Sequence, residues 1–276
     1  MKRIVFAGVS ALALGGCSWL GLGEKSYDHA HHAGAYAAPA MHAHKSCSSC
    51  QPRLSRINLE GGIGPSFLIG GDAITGSDAN FVEGVTLNDV SMNDAYDTGI
   101  RGELGASYAL APNTKVVGMG HYVQHDGGDR VELGTQNGVA LSGELTDYTA
   151  YGAELGLRQY GNIRPAPIVG SVRPYIEGRV GASKIEDIFL RNSTFSPNAD
   201  VGFYDSRWAA TGAGLVGVET PFVGNSTLGL ETGIRYTDNP RTENRSSLVP
   251  GNPLAGINNG GDKWSVPLML RGRYRF

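Results

Sequence analysis

Glutamate and arginine recur at alternating positions of several glycine-rich segments, and these residues carry most of the chain's capacity for chemistry. Arg101 and Glu103 lie two residues apart, and Glu154 and Arg158 lie four apart. Paired carboxylates can serve as general acid and base, whereas carboxylates and guanidinium groups in near-equal numbers form ion pairs. The near balance favours an ion-pair network. The predicted members are Glu60, Arg101, Glu103, Glu154, Arg158, Glu177, Arg179, Arg207, Glu219, Glu231, Arg235, Arg271 and Arg273.

The elements that must position these residues are β-strands, because apolar and polar residues alternate with period two. Near the C-terminus, Trp264, Leu268 and Leu270 would face one side. Arg271, Arg273 and Arg275 would face the other, together with Ser265. Three arginines on a lipid-facing side would cost several kcal/mol, so the apolar side suits lipid and the polar side a lumen. Eight such segments are predicted, at residues 57–69, 97–110, 115–124, 145–160, 173–185, 205–220, 227–237 and 263–276.

The connections between these segments alternate in length. Residues 111–114 and 221–226 form short turns, and residues 161–172 form a longer turn stiffened by proline. Four long connections lie at the opposite end, at residues 70–96, 126–144, 186–204 and 238–262. Short turns on one side and long loops on the other are typical of transmembrane barrels. We therefore predict an all-β fold, an eight-stranded antiparallel up-and-down transmembrane β-barrel over residues 57–276. The register of segment 115–124 stays open, because its two faces are similar.

The N-terminal residues indicate export. Lys2 and Arg3 precede an apolar run over residues 4–14 that is too short to span a bilayer as a helix, so residues 1–16 are predicted to be a signal peptide. The run ends in Leu14-Gly15-Gly16-Cys17, which resembles the bacterial lipobox. That resemblance implies a lipoprotein with lipid, including palmitate, on Cys17. Ser18 at the next position implies lipoprotein sorting to the outer membrane of a Gram-negative envelope.

Residues 17–56 are rich in Ala, Gly, Ser and His, a composition that predicts a disordered, lipidated linker in the periplasm. Cys47 and Cys50 would lie in an oxidising compartment, which favours a disulfide over two free thiols. Five linker histidines provide ligands for a transition metal, although low-complexity tethers can be His-rich without binding one. No other cofactor is expected. The histidines are His29, His31, His32, His42 and His44.

Charge and hydropathy exclude two other classes of protein. Loss of Lys2 and Arg3 with the signal peptide lowers the basic residues from 23 to 21, against 26 acidic residues. An acidic chain without a concentrated basic face is not expected to bind nucleic acid. The mean hydropathy of −0.18, with no second long apolar run, argues against a helical membrane protein.

Residues 57–276 resemble the eight-stranded outer-membrane barrel family typified by OmpA and OmpX. The resemblance rests on glycine-rich alternation from Tyr151 to Arg158 and on the closing Arg273-Tyr274-Arg275-Phe276. It implies that Tyr274 and Phe276 form the signal read by the barrel assembly machinery, and that the partners are outer-membrane lipid and lipopolysaccharide. The lipobox departs from the usual pattern of that family.

Three functions are consistent with these features. A narrow barrel filled by ion pairs favours a closed interior and an envelope-integrity or surface-interaction role; a small gated pore is the alternative. The third function is that of a lipid-modifying enzyme. We expect no enzymatic activity, because His121 and His125 have no recognisable serine and carboxylate nearby in sequence. An outward-facing His121 would be an interfacial residue. The first long loop is acidic and is expected to be a solvated surface: Asp72, Asp78, Glu83, Asp89, Asp94 and Asp97.

Overall fold

The computed structural model describes residues 56–76, 84–128, 130–166, 170–194, 200–239 and 260–276. The chain divides into two units, Met1–Ser48 and Ser49–Phe276. The first unit lies wholly outside the described residues, so the signal peptide and most of the predicted linker fall there. Among the residues that the structure describes, no helix is long and apolar enough to cross a membrane.

The described part of the chain consists almost entirely of β-strands. In chain order the elements are β1 (Ile57–Gly70), β2 (Asp72–Ile74), β3 (Val85–Leu87), β4 (Val90–Ser91), α1 (Met92–Ala95), β5 (Gly99–Ala111), β6 (Thr114–His125), β7 (Val131–Gln136), β8 (Val139–Leu145), β9 (Tyr148–Tyr160), β10 (Arg164–Ala166), β11 (Gly170–Ile185), β12 (Ile188–Arg191), β13 (Val201–Tyr204), β14 (Arg207–Pro221), β15 (Ser226–Thr237) and β16 (Lys263–Arg275).

Eight long antiparallel strands form a closed barrel. Their order is β11-β14-β15-β16-β1-β5-β6-β9, and pairing of β9 with β11 closes the cylinder. The prediction of an all-β, eight-stranded antiparallel barrel is confirmed, and each strand begins and ends within about three residues of its predicted bounds. We call the end with the short connections and the last residue the inner mouth. The opposite end, with the long connections, is the outer mouth.

The barrel strands follow the alternation read from the sequence. Leu155 and Val180 point outward and are 66% and 70% exposed, whereas Glu154 and Arg179 on the same strands are buried inside. On β16, Trp264 packs against Tyr236 near the outer mouth, and Tyr274 packs against Phe276 near the inner mouth. At about 3.3 Å per residue and a tilt of roughly 40°, these two levels are about 25 Å apart, the height of the apolar band of transmembrane barrels.

The long connections fold into a second layer, which the sequence pattern does not predict. Strands β13-β12-β8-β7-β3 form a five-stranded sheet, and β2 pairs with β4. We call these strands together with α1 the outer cap. Its buried side chains include Ile74, Met92 and Leu190. They continue into Val123 and Ile185 at the outer ends of barrel strands, so one apolar core extends from the cap into the outer mouth.

Tyr204 ties the cap together through its hydroxyl group. The hydroxyl donates a hydrogen bond to the carbonyl oxygen of Ala73 at 2.7 Å and accepts one from the backbone N–H of Gly260 at 3.1 Å. Burial raises the pKa of Tyr204, which keeps the hydroxyl protonated as a donor. Three long connections, those that carry Ala73, Tyr204 and Gly260, therefore meet at this one side chain.

Candidate functional site

The interior of the barrel holds a network of buried ion pairs. Six strands each contribute one glutamate, and the arginines come from β5, β9, β11, β15 and β16. Because side chains of one parity point inward, residues far apart in sequence converge on the barrel axis. The carboxylates are Glu60, Glu103, Glu154, Glu177, Glu219 and Glu231, and the guanidinium groups are Arg101, Arg158, Arg179, Arg235, Arg271 and Arg273.

Glu103 lies at the centre of this network and contacts four arginines. Its carboxylate is 2.7 Å from Arg101 Nε, 2.8 Å from Arg179 Nη1 and 2.6 Å from Arg235 Nη2. It also accepts a hydrogen bond from Arg271. These arginines come from four different strands, so a single carboxylate links β5 to β11, β15 and β16 across the lumen.

The other carboxylates extend the network along the axis. Glu154 lies 2.8 Å from Arg235 Nη1, and Glu231 lies 2.8 Å from Arg271 Nε. Glu177 accepts hydrogen bonds from both Arg158 and Arg179.

Two further glutamates form ion pairs toward the inner mouth. Glu60 lies 2.8 Å from Arg158 Nη1, and its carboxylate accepts a hydrogen bond from the Ser107 hydroxyl. Glu219 pairs with Arg273. Within this network of six glutamates and six arginines, the charges are therefore neutralised pair by pair, which is required for burial of so many ionised groups.

Arg207 lies apart from this network. Its guanidinium group is 3.7 Å from Asp238 near the outer mouth, and both side chains are partly exposed. The structure therefore brings together all of the predicted network residues except this one.

Glycine at inward positions makes room for the long polar side chains of the neighbouring strands. A Cβ atom on Gly156 would lie 2.8 Å from Arg179 Cγ, and one on Gly217 would lie 2.3 Å from Tyr175 Cζ. Tyr175 in turn donates a hydrogen bond to Glu231 at 2.9 Å. The small residues therefore leave the space that the long polar side chains occupy.

The lumen leaves almost no free space. Among the described residues, one cavity lies near the outer mouth beside His121 and Lys263, and another lies near the inner mouth beside Glu60 and Arg273. Each has a volume of ≈ 10 Å³. A single water molecule needs about that much space, so neither cavity forms a continuous path.

His121 faces the lumen, and the interpretation of an outward, interfacial His121 is wrong. Its Nε2 atom is 2.7 Å from Ser183 Oγ, and its Nδ1 atom is 3.9 Å from a Glu154 oxygen. The register of β6 stayed open in the sequence because its valines and methionine make its two faces similar. In the structure, the pairing of β6 with both β5 and β9 places Val117, Met119 and His121 inside the barrel. Serine, histidine and carboxylate thus meet here from three strands, a juxtaposition that no sequence spacing signals.

His125 is also buried, beneath the outer cap. Its Nδ1 atom lies 3.1 Å from the backbone carbonyl oxygen of Asp97, and its ring packs edge-on against Tyr148. Lys263 lies 3.6 Å from the centroid of the same Tyr148 ring. His125 therefore belongs to the packing of the outer mouth.

Other predicted site residues lie at the two mouths of the barrel. Tyr274 and Phe276 contact each other edge to face at the end of β16, with ring centroids 5.3 Å apart. Asp72, Asp89, Asp94 and Asp97 are exposed around the cap. Outside the described residues lie Asp78, Glu83, Cys17, Cys47, Cys50, His29, His31, His32, His42 and His44. Within the described ranges, no group of three or more His, Cys, Asp and Glu side chains is placed to hold a metal ion.

Solved structures of outer-membrane proteins are similar to this chain in fold. The crystal structure of Neisserial surface protein A (NspA) is 12% identical and covers 80% of this chain and 97% of its own, with a TM-score of 0.41. OprG from Pseudomonas aeruginosa is 15% identical over 79% of this chain and 95% of its own, with a TM-score of 0.39. AlkL, solved by solid-state NMR in DMPC bilayers, is 14% identical over 89% and 97%, with a TM-score of 0.41.

No protein-family model and no curated protein sequence matches the chain. At the identities of the structural matches, the likeness concerns the fold alone.

Proposed function

We propose that this chain is an outer-membrane β-barrel lipoprotein with a closed interior, which serves envelope integrity or surface interaction rather than transport. The observation that carries this proposal is the luminal network, in which six glutamates and six arginines fill the barrel and leave cavities of only ≈ 10 Å³. Ions or solutes would have to displace buried, mutually compensating charges to cross it.

The outer surface of the barrel supports placement in a membrane. Large apolar side chains such as Leu155, Val180 and Val216 are more than half exposed on three neighbouring strands, β9, β11 and β14. A contiguous apolar band of this kind would be unfavourable in water and is favourable in lipid. Aromatic rings at its two edges, including Trp264 and Tyr274, match the interfacial girdles of transmembrane barrels.

The outer cap supports a role at the surface. Its apolar core closes the outer mouth, and its exposed rim carries carboxylates from Asp72, Asp94 and Asp126. A folded cap on a closed barrel presents a defined shape, which suits recognition of a partner more than passage of a solute. The partners in this proposal are outer-membrane lipid and lipopolysaccharide, with no enzymatic reaction.

The lipid anchor of the proposal rests on Cys17 in the lipobox-like segment. An even number of strands places the start of β1 and the end of β16 at the same, inner mouth. A linker anchored in the inner leaflet would therefore reach its own barrel from the periplasm. The barrel assembly and lipoprotein sorting machineries would act on the same chain.

Electrophoresis of outer membranes tests the barrel and the anchor together. We expect boiled and unboiled samples to differ in mobility, and we expect labelled palmitate on the natural chain but not on Cys17→Ala. Ser18→Ala is the matched control and should keep the label. No mobility shift in unboiled samples would contradict the membrane barrel, and label that persists in Cys17→Ala would contradict the anchor.

A further inference from the structure

Four cationic side chains surround one buried tyrosine ring at the inner mouth. The distances to the centroid of the Tyr160 ring are 4.3 Å for Arg173, 5.3 Å for Lys115 Nζ, 5.5 Å for Arg273 and 6.0 Å for Arg158. The cations come from β6, β9, β11 and β16. The electron-rich face of the tyrosine stabilises each of them only partly.

Positive charges outnumber negative charges around Tyr160, in contrast to the balanced network nearer the centre of the barrel. Arg158 is paired with Glu60 and Glu177, and Arg273 is paired with Glu219. In the described part of the chain, neither Lys115 nor Arg173 has a carboxylate within 4.0 Å. Two cations are therefore left without an ion-pair partner at this mouth.

Hydrogen bonds hold one arginine of the group in place, and a second arginine keeps a donor without a partner. Arg173 donates from Nη2 to the carbonyl oxygen of Pro112 at 3.0 Å and to Asn113 Oδ1 at 2.7 Å, which holds its guanidinium group over the turn between β5 and β6. Arg158 is almost fully buried, yet its Nη2 atom has no hydrogen-bond partner among the described residues. An unsatisfied buried donor is unfavourable unless a ligand or water completes it.

We propose that this cluster, formed by Lys115, Arg158, Arg173 and Arg273 around Tyr160, is a phosphate-binding site at the inner mouth. Several guanidinium groups and an ammonium group that converge without enough carboxylates match an oxyanion with several acceptor oxygens. Lys115 and Arg173 are half-buried, so an anion can reach them from the inner mouth, while the network behind them blocks entry from the outer side.

The phosphate has two sources with the same chemistry. One is free inorganic phosphate or a soluble phosphate ester, and the other is the headgroup of an anionic phospholipid beside the barrel rim. The inner mouth lies next to the apolar band that ends near Tyr274, so both sources are within geometric reach.

Calorimetric titration of the purified full chain in a maltoside detergent, at constant ionic strength, distinguishes these sources. The probes are inorganic phosphate, short-chain phosphatidylglycerol, short-chain phosphatidylcholine and acetate. We expect Lys115→Gln/Arg173→Gln to weaken phosphate or phosphatidylglycerol binding at least tenfold. Lys184→Gln/Arg191→Gln removes the same charges nearer the outer mouth and should bind as the natural chain does.

Each outcome decides the proposal. Binding of inorganic phosphate supports the site with a free oxyanion, and binding of phosphatidylglycerol alone supports it with a lipid headgroup. Three results would overturn it: no binding of either inorganic phosphate or phosphatidylglycerol, binding of acetate or phosphatidylcholine as tight as that of these two probes, or equal losses in both double variants. If the double variant fails to show the barrel mobility shift, Lys115→Gln alone tests the site, because this change breaks no hydrogen bond or ion pair of the described structure.

Discussion

At the scale of single residues, Glu103 is the side chain on which the interior depends most. It has no exposed surface and contacts four arginines from four strands. Transfer of one carboxylate and four guanidinium groups out of water is unfavourable, and that cost is offset by their contacts with one another and with the neighbouring glutamates of the network. Removal of the shared carboxylate leaves several cations facing each other.

We predict that Glu103→Gln destabilises the folded barrel by about 3–5 kcal/mol, since it removes one partner of a buried ionic cluster. The measurement is urea unfolding of the reconstituted protein, followed by the mobility of unboiled samples. Combining Glu103→Gln with Arg271→Gln should recover part of the loss, because one uncompensated cation is removed.

Glu132→Gln serves as the matched control, because Glu132 is exposed on β7 in the outer cap. Its unfolding midpoint should equal that of the natural chain. If Glu103→Gln unfolds at the same urea concentration as Glu132→Gln, the network is not holding the strands together.

At the scale of elements, β14 shows how a strand combines room for polar side chains with contact to lipid. Gly217 points inward against the Tyr175 ring, whereas Gly214 points outward and has no atom within 4 Å of the position of a Cβ. The two glycines share one strand and differ only in the side they face.

We predict that Gly217→Ala lowers barrel stability by about 1–3 kcal/mol, because the new methyl group would overlap the Tyr175 ring and disturb its hydrogen bond to Glu231. Gly214→Ala should leave stability unchanged. The comparison uses the same urea titration, and equal midpoints for the two variants would contradict the packing described for this strand.

The outer cap is an element of a different kind, since apolar packing rather than ion pairing holds it. Leu190 and Leu133 are fully buried within it. At the edge of the cap, Arg130 donates hydrogen bonds from Nε to Ser142 Oγ at 2.7 Å and from Nη2 to the carbonyl oxygen of Asn192 at 2.9 Å.

We predict that Leu190→Ala costs about 2–5 kcal/mol in cap packing and raises trypsin cleavage at Arg130 and Arg191 at least tenfold. Val139→Ala, at a position 63% exposed, should cleave as the natural chain does. Peptide mapping gives the sites. Unchanged cleavage in Leu190→Ala would mean that the cap does not fold as one unit.

The barrel strands could be predicted because alternation fixes which residues face lipid. The parity of Trp264, Leu268 and Arg271 determines the orientation of β16 from sequence alone, and the same holds for Arg101 and Glu103 on β5. On β6, apolar residues occupy both faces, so the inward position of His121 follows only from pairing with its neighbours.

The outer cap was not predicted, because its strands are short and its apolar residues come from separate connections. One local signal was available. Asn137-Gly138 is a two-residue turn with both φ angles positive, the pattern that joins hairpin strands, and it links β7 to β8. The meeting of Ala73, Tyr204 and Gly260 has no such local signal, since it depends on three distant segments.

At the scale of the whole molecule, three layers lie along one axis. An apolar cap closes the outer mouth, a neutral ion-pair network fills the centre, and a cluster with excess positive charge faces the inner mouth. Eight strands enclose a space that side chains can nearly fill. Closure at the outer mouth and at the centre therefore follows from the size of the barrel as well as from the side chains inside it.

Ion conductance across planar bilayers tests this closure most directly. We predict that the natural chain, purified and inserted, gives no stepwise current in molar KCl at 100 mV, because the buried ion pairs fill the described lumen and the two cavities beside them hold about one water molecule each. Glu132→Gln should behave identically. Steady, reproducible single-channel steps from the natural chain, absent from protein-free bilayers, would contradict the closed barrel and favour a pore.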